Sequence, residues 1–219
     1  MRFLNNLLAA SLLLLALAML PPSPALAQNG NGEQYGAPNS SSHRNSASSW
    51  PKGLPADYQD FKQRYQSVAV TPEGAVKMYF DALYSYIDGN HSEALKMLRY
   101  SLHADKGWDR NSGYYATFVE RLKDPSRYHI FRSFAKGSSP ENDYAMSPRN
   151  YELMIDYTRD MGSYTQVALI SSGADSPRII QVQRFPDGLW YVTQNAASYV
   201  EVRPPASHTN RPSHDADFD

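Results

Sequence analysis

The chain has 219 residues and no cysteine, and its 21 Lys and Arg residues nearly balance its 22 Asp and Glu residues, giving a formal net charge of -1. The absence of cysteine excludes a disulfide framework, a cysteine-ligated zinc site and a thiol nucleophile. The balanced charge argues against a dedicated nucleic-acid binder, because such proteins usually present a strongly basic surface.

Residues 1–27 have the pattern of a secretory signal peptide. Arg2 precedes an uncharged apolar run, Leu7 to Leu20, that is shorter than the roughly 20 residues of a membrane-spanning helix. Small residues then occupy the two positions that signal peptidase reads, which predicts cleavage between Ala27 and Gln28. The alternative, an uncleaved membrane anchor, is disfavoured by the short apolar core. We therefore expect an exported chain, periplasmic or secreted, that does not span the membrane after cleavage.

Two flanking segments are predicted to be disordered. Residues 28–55 are rich in Gly, Asn and Ser and contain little to bury, as is typical of a flexible linker. Residues 203–219 form a similar tail. His208 and His214, followed by Asp215 and Asp217, raise the alternative of a metal site there, but a free tail lacks the surrounding groups that orient ligands, and no metal is predicted. A single domain of residues 56–202 remains.

The first predicted helix of this domain begins at Thr71, a suitable N-cap followed by Pro72 and Glu73 in the first turn. It ends at Gly89. Asp81 lies about 100 degrees from the centre of the apolar stripe, so we expect its side chain to be exposed. The stripe consists of Val76, Tyr79, Phe80, Leu83 and Ile87.

Two further helices are predicted after Gly89. Asn90 and Glu93 have the spacing of a capping box at the start of the second helix. The third helix is capped by either Asn111 or Ser112 and is closed by Pro125.

From Tyr128 onward the apolar pattern changes to a period of two, which is typical of strands. The segment that begins at Tyr164 is apolar on both faces and is expected to be a central strand. A run of helices followed by antiparallel strands predicts an α+β domain. The predicted strands are Tyr128 to Ala135, Tyr151 to Thr158, Tyr164 to Ser171, Arg178 to Phe185 and Leu189 to Gln194, with Ala196 to Val202 extending the last strand or adding a short one.

The order of these elements resembles the nuclear transport factor 2-like superfamily, which includes polyketide-cyclase-like proteins. The resemblance lies in Thr71-Pro72-Glu73 opening a long helix, in the second helix after Gly89-Asn90, and in a closing hairpin that ends Gly188-Leu189-Trp190-Tyr191-Val192. It implies a curved antiparallel sheet that wraps a long helix and leaves a cone-shaped cavity. Members of the superfamily include isomerases, dehydratases and non-catalytic binding domains, and many of them dimerise through the sheet.

The stretch from Lys136 to Pro148 is rich in Ser, Asn and charge and has no counterpart in compact members of that superfamily. It is either a lid over the cavity or a plain surface loop. The pattern favours a surface loop, because long loops are more often variable than functional.

The catalytic pattern of the isomerase-like members requires a carboxylate that faces the cavity beside a Tyr or a protonated acid. The Tyr151 strand offers Tyr151 and Tyr157 on its buried face, whereas Asp156 points the other way if the alternation holds. His103 with Asp105 is the candidate for a dehydratase-type pair. No motif predicts a metal or a cofactor.

Tyrosine is unusually abundant, with 16 residues in the chain. A Tyr side chain suits both a half-polar cavity and an interface, although ordinary strand propensity explains most of them. The candidates for lining a ligand cavity are Tyr79, Tyr115, Tyr157 and Trp190, although the core is the favoured place for Trp190. The sequence therefore favours an exported, non-catalytic domain that binds a protein or a small apolar ligand through its cone or sheet. The alternative is a small isomerase or dehydratase that uses a pocket His or Tyr.

Overall fold

The computed structural model of the protein describes residues 50–102 and 113–209, with the backbone alone for residues 113–115. These residues belong to one compact unit. Several predicted features lie outside the described residues: the signal peptide with its cleavage site at Ala27 and Gln28, linker residues 28–49, the candidates His103 and Asp105, the alternative caps Asn111 and Ser112, and tail residues 210–219.

The domain is α+β, as predicted. The described helices are α1 (Tyr58–Val68), α2 (Pro72–Ile87), α3 (His91–Ser101), α4 (Gly113–Lys123), α5 (Tyr128–Arg132) and α6 (Ala206–Thr209). The described strands are β1 (Ile155–Asp160), β2 (Thr165–Leu169), β3 (Arg178–Arg184) and β4 (Trp190–Gln194). The strands form one antiparallel sheet in the order β1-β2-β3-β4, which confirms the predicted hairpin and the internal position of the strand after Tyr164. Among the described helices, none is long and apolar enough to cross a membrane.

Helix α1 is not predicted from the sequence. Asp57 caps it, because its carboxylate accepts hydrogen bonds from the backbone N–H groups of Gln59 and Asp60. Only Phe61, Tyr65 and Val68 of this helix are buried. The apolar stripe of α1 is thus narrow. Most of the other residues of the helix are polar, so the sequence shows only a weak helical pattern there.

The second helix, α2, lies at the centre of the domain. Thr71 caps it as predicted, accepting a hydrogen bond from the backbone N–H of Gly74. The helix contacts all four strands and also α1 and α3. Every residue from Glu73 to Tyr86 is therefore buried, and the predicted exposure of Asp81 is wrong because α2 is covered on more than its apolar stripe.

The capping box predicted at the start of α3 does not form. Asn90 makes no side-chain cap, and its amide instead donates a hydrogen bond to the carbonyl oxygen of Ala56. The Glu93 carboxylate accepts a hydrogen bond from the backbone N–H of Tyr58 at 3.0 Å. Both residues therefore tie α3 to the start of α1.

The predicted strand from Tyr128 to Ala135 is wrong, because its first five residues form α5. Asp124 and Pro125 start a 3₁₀ turn that leads directly into this helix. Ile130 and Phe134 are buried four residues apart, so the same apolar residues that suggest a period of two also fit one side of a helix. Pro125 follows the end of α4 as predicted, but it also opens the next element.

The strands at the two edges of the sheet differ from prediction. Ile155 pairs with Leu169 and Tyr157 pairs with Ala168, so Asp156 is an extra residue in a β-bulge and the predicted alternation breaks there. After β4, residues Ala196–Tyr199 form a 3₁₀ helix rather than a strand.

The segment from Lys136 to Pro148 and the start of the predicted tail pack against each other. Tyr144 is buried, and its hydroxyl donates a hydrogen bond to the carbonyl oxygen of Arg203 at 2.7 Å. The Asp143 carboxylate accepts a hydrogen bond from the backbone N–H of Ser207, near the start of α6. Residues 203–209 therefore belong to the folded domain and not to a free tail. At the other end, Trp50 already packs against the core, so the domain begins before residue 56.

Candidate binding cleft

A cleft of about 360 Å³ lies between the segment that precedes α1 and the segment that precedes β1, with α2 contributing one side chain. This volume falls within the roughly 300–1,000 Å³ range of small-molecule sites. The residues that line the cleft are Trp50, Pro51, Lys52, Gly53, Lys77, Arg149, Asn150, Tyr151, Glu152 and Leu153.

A buried polar cluster, formed by Lys77, Asp81 and Tyr151, lies at the side of the cleft where α2 passes. The Lys77 ammonium donates a hydrogen bond to Asp81 Oδ1 at 2.5 Å, and the Tyr151 hydroxyl donates to the same oxygen at 2.8 Å. The ammonium also lies 4.7 Å from the centroid of the Tyr151 ring. The Lys77 and Asp81 side chains are 9% and 3% exposed. Each member of the cluster thus contacts the other two.

The helical repeat of α2 explains why these groups lie together. Lys77 and Asp81 are four residues apart, and the same side of the helix continues with Ser85 and Asp88. Ser85 and Asp88 line a second cleft of about 340 Å³. Gly53 and Arg149 line both clefts, and the Arg149 guanidinium forms an ion pair with Asp88 at 2.9 Å. A row of polar side chains on α2 therefore lies beneath the segments that carry Gly53 and Arg149.

Burial sets the proton affinities within the cluster. It raises the pKa of the Asp81 carboxyl, and the favourable effects of the Lys77 charge and of the hydrogen bonds from Lys77 and Tyr151 do not fully offset it. Burial also raises the pKa of the Tyr151 phenol well above its ordinary value, and the neighbouring Asp81 carboxylate adds to this effect. Tyr151 therefore keeps its proton at neutral pH and acts as a hydrogen-bond donor.

The segment on one side of the cleft is held in place by α1. Gly53 has a φ of 76°, a conformation that glycine adopts readily, and its carbonyl oxygen accepts a hydrogen bond from Arg64 at 2.9 Å. Asp60 accepts hydrogen bonds from Arg64 and from the backbone N–H of Ala56. The Arg64 guanidinium lowers the pKa of Asp60. Helix α1 thus holds this segment at Gly53 and Ala56.

A profile of the family described as a domain of unknown function (DUF6935) matches residues 53–206. The chain belongs to this family. The match contains the whole polar cluster and the Arg149 side of the cleft, and it begins at Gly53. No curated protein and no solved structure matches the chain.

Within the DUF6935 domain, the described ligand-cavity candidates Tyr79, Tyr157 and Trp190 lie apart from the cleft. Tyr79 is fully buried, where its hydroxyl bonds with Ser198 Oγ at 2.9 Å and accepts from the Asn195 amide at 3.0 Å. Tyr157 is half-buried on β1 beside the Arg159 guanidinium. None of the described candidates lines the cleft. Trp190 is half-buried at the start of β4, and the side chain of Tyr115 lies outside the described residues.

The strand pattern of the sequence offers Tyr151 as one half of an acid–base pair but no carboxylate beside it. The structure supplies this carboxylate from α2, since Asp81 accepts the Tyr151 hydrogen bond. The available signal was the pair Lys77 and Asp81, opposite charges four residues apart within a helix that is otherwise largely apolar. Two opposite charges at this spacing in a buried helix are expected to form an ion pair, because neither can remain buried without a partner.

The DUF6935 domain offers no evident metal centre in the part of the chain that the structure describes. There, no group of three or more His, Asp or Glu side chains lies close enough to hold an ion. The polar groups that line the cleft are those of Lys52, Lys77, Arg149, Asn150, Tyr151 and Glu152.

Proposed function

We propose that this DUF6935 domain is an exported, non-catalytic binding domain whose ligand occupies the cleft between Trp50–Gly53 and residues 149–153. The observation that carries the proposal is the closed polar cluster beside the cleft. Asp81 Oδ1 already accepts hydrogen bonds from both Lys77 and Tyr151. A general base needs a carboxylate that is free to reach the substrate, so the cluster is better suited to shaping the cleft than to proton transfer.

The composition of the lining also supports a binding role. Trp50, Pro51 and Leu153 supply apolar surface, whereas Asn150 and the charged residues supply hydrogen-bonding groups. Small-molecule sites typically combine a mostly apolar wall with a few placed polar groups. We place the ligand in this cleft rather than on the sheet. The predicted signal peptide supports a location in the periplasm or outside the cell.

The proposal is tested by recovering the mature protein from its native compartment and analysing the bound material by native mass spectrometry. We expect a small molecule at a constant stoichiometry. Trp50→Ala should reduce the bound fraction, whereas Lys96→Met, which removes an exposed partner of Glu93 on α3, should not. A ligand-free wild-type protein, or a ligand retained equally by Trp50→Ala, would contradict the proposal.

The Asp81–Tyr151 contact favours a second candidate function, a small isomerase or dehydratase. A carboxyl group with a raised pKa beside a tyrosine hydroxyl is the pair that proton abstraction next to a carbonyl requires. An isomerase-type reaction in D₂O would place deuterium on a carbon of the recovered ligand, and Asp81→Asn would abolish this exchange. Recovery of the ligand with neither deuterium nor a dehydrated product after incubation with the wild-type protein would exclude this candidate and leave the binding proposal intact.

We also infer that the fold is that of the nuclear transport factor 2-like superfamily. The inference is supported by the helices-then-strands order and by the contact of α2 with all four strands of the antiparallel sheet. An experimental structure with a flat sheet that does not curve around α2 would contradict it. The homodimer that the resemblance implies is a separate prediction, and sedimentation of the mature chain would test it.

A further inference from the structure

The charged groups that line the cleft are predominantly positive. Lys52, Lys77 and Arg149 contribute three cations, and Glu152 contributes the one carboxylate among the described lining residues. Glu152 is paired outside the cleft with Lys136 at 3.0 Å. Asp81 and Asp88 do not line the cleft themselves and are paired with Lys77 and Arg149. Each acidic group near the cleft therefore already has a partner, and Lys52 adds an exposed cation at the edge.

Lys77 has hydrogen-bonding capacity that the described residues do not use. An ammonium group carries three N–H donors. Within the described part of the chain, the Lys77 ammonium donates one hydrogen bond, to Asp81, and its other close polar contact is the face of the Tyr151 ring. Because its side chain is only 9% exposed and lines the cleft, access of bulk water to the remaining donors is limited. An acceptor in the cleft would satisfy them.

We propose that the ligand of this cleft carries a single carboxylate group, which accepts hydrogen bonds from the free donors of Lys77 near Lys52 and Arg149, while an apolar body packs against Trp50. The proposal rests on the proposed binding function and specifies the chemical class of its ligand. Charge-assisted hydrogen bonds to an ammonium are stronger than neutral ones, and a partly enclosed site strengthens them further.

The surrounding carboxylates limit the charge of the ligand. The Asp81 carboxylate is hydrogen-bonded to the same ammonium that would bind the ligand, and Glu152 lies in the lining. A doubly charged phosphate would experience more repulsion from these groups than a carboxylate would. The volume of about 360 Å³ suits a small aromatic or aliphatic acid, and it also suits the last residue of a peptide with a free carboxyl terminus.

The experiment compares charged and neutral forms of the same compounds on the full mature chain. The probes are 3-phenylpropionate and the peptide acetyl-Gly-Gly-Phe, each paired with its primary amide. Binding is followed by NMR through the indole N–H of Trp50 and the ammonium groups of ¹⁵N-labelled lysine. We expect at least one acid to bind about tenfold or more tightly than its amide, because the amide lacks the charge that Lys77 recognises. The acid that binds better distinguishes a free small acid from a peptide terminus.

The decisive variant is the double substitution Lys77→Met and Asp81→Asn, which removes both charges of the buried pair together and retains an acceptor for the Tyr151 hydroxyl. We expect this variant to lose most of the preference for the acid, because only Lys52 and Arg149 remain to attract the charge, whereas Lys96→Met on α3 should keep the wild-type preference. Raising the salt concentration to about 0.5 M should weaken binding of the acid alone.

Three results would overturn the inference. Equal binding of acid and amide by the wild-type protein would show that the cleft does not recognise the charge, although the binding function would stand. A preference for the acid that is undiminished in the double variant would place the anion away from Lys77. Failure of both acids to bind would exclude this ligand class, while the compound recovered from the native compartment would still decide the binding function independently.

Discussion

The Tyr151 hydroxyl donates a hydrogen bond to the Asp81 carboxylate over 2.8 Å, which joins the segment before β1 to the central helix α2. Lys77 donates to the same oxygen at 2.5 Å. Asp81 is only 2% exposed, so its carboxylate has lost nearly all of its hydration and depends on these two donors. The wall of the cleft and the stability of the domain are therefore coupled through one carboxylate.

Removing one partner of the buried pair should destabilise the domain more than removing both. Lys77→Met leaves the Asp81 carboxylate buried without a cation and should lower the free energy of unfolding by about 3–5 kcal/mol. Asp81→Asn should cost less, because the environment of Asp81 already raises its pKa and so favours the neutral form. The double variant should be more stable than Lys77→Met alone, as measured by urea denaturation.

The raised pKa of Asp81 predicts how the destabilisation by Lys77→Met changes with pH. A carboxyl whose folded-state pKa is raised favours folding while it is protonated, and this contribution is lost as the pH rises through the folded-state pKa. Without the Lys77 cation the Asp81 pKa should rise further, so the destabilisation by Lys77→Met should become smaller as the pH is lowered. Lys96→Met is the matched control at an exposed pair, with an expected effect of no more than about 1 kcal/mol. A cost of Lys77→Met that does not change with pH would contradict this account.

The sequence predicts the parts of this fold that are decided by residues adjacent along the chain. The Thr71 cap and the hairpin between the last two predicted strands are decided within a few residues, and the structure confirms both. The burial of Lys77 and Asp81 is decided by other segments, because α1 and the strands pack on α2 and the segments that carry Gly53 and Arg149 cover its polar row. The periodicity of α2 alone therefore predicts an exposed Asp81, and it does not reveal the polar cluster beside the cleft.

Tyr79 should stabilise the core rather than bind the ligand. Its hydroxyl accepts a hydrogen bond from the Asn195 amide and also bonds with Ser198, and all three side chains are buried. Tyr79→Phe would leave the Asn195 donor without this acceptor and should cost about 1–3 kcal/mol in the free energy of unfolding. Tyr157→Phe, at a half-buried position, should have a smaller effect. A Tyr79→Phe variant with normal stability and weakened ligand binding would support the cavity-lining role predicted from the sequence.

Gly74 permits the close approach of α2 to the end of α1. A Cβ atom at this position would lie 1.7 Å from the carbonyl oxygen of Val68, a backbone atom that cannot rotate away. Gly74→Ala should therefore displace α1 from α2 and cost about 1–3 kcal/mol or more, measured as a lower urea midpoint. At Gly89, by comparison, the added Cβ would contact nothing within 4 Å, so Gly89→Ala should show only the cost of its positive φ, about 1–2 kcal/mol. A Gly74→Ala variant as stable as the wild type would show that α1 can shift freely.

His129 should make the domain less stable in mild acid. Partial burial lowers the pKa of its imidazole below the ordinary 6.5, the nearby His208 and Arg127 lower it further, and the hydrogen bond with the Ser126 carbonyl opposes the shift. A histidine with a lowered folded-state pKa binds fewer protons in the folded than in the unfolded state, so its contribution is present above the unfolded-state pKa and is lost as the pH falls below it.

Urea denaturation between about pH 5 and pH 8 would measure how the free energy of unfolding changes as His129 binds a proton. His129→Gln should flatten the loss of stability below the ordinary histidine pKa. His208→Gln should flatten it partly, because removing the neighbouring charge brings the His129 pKa back toward its ordinary value. If His129→Gln leaves the pH dependence of the free energy of unfolding unchanged, the acid sensitivity arises from other groups. The contacts of His129 with Ser126 and Tyr144 would then not contribute to it.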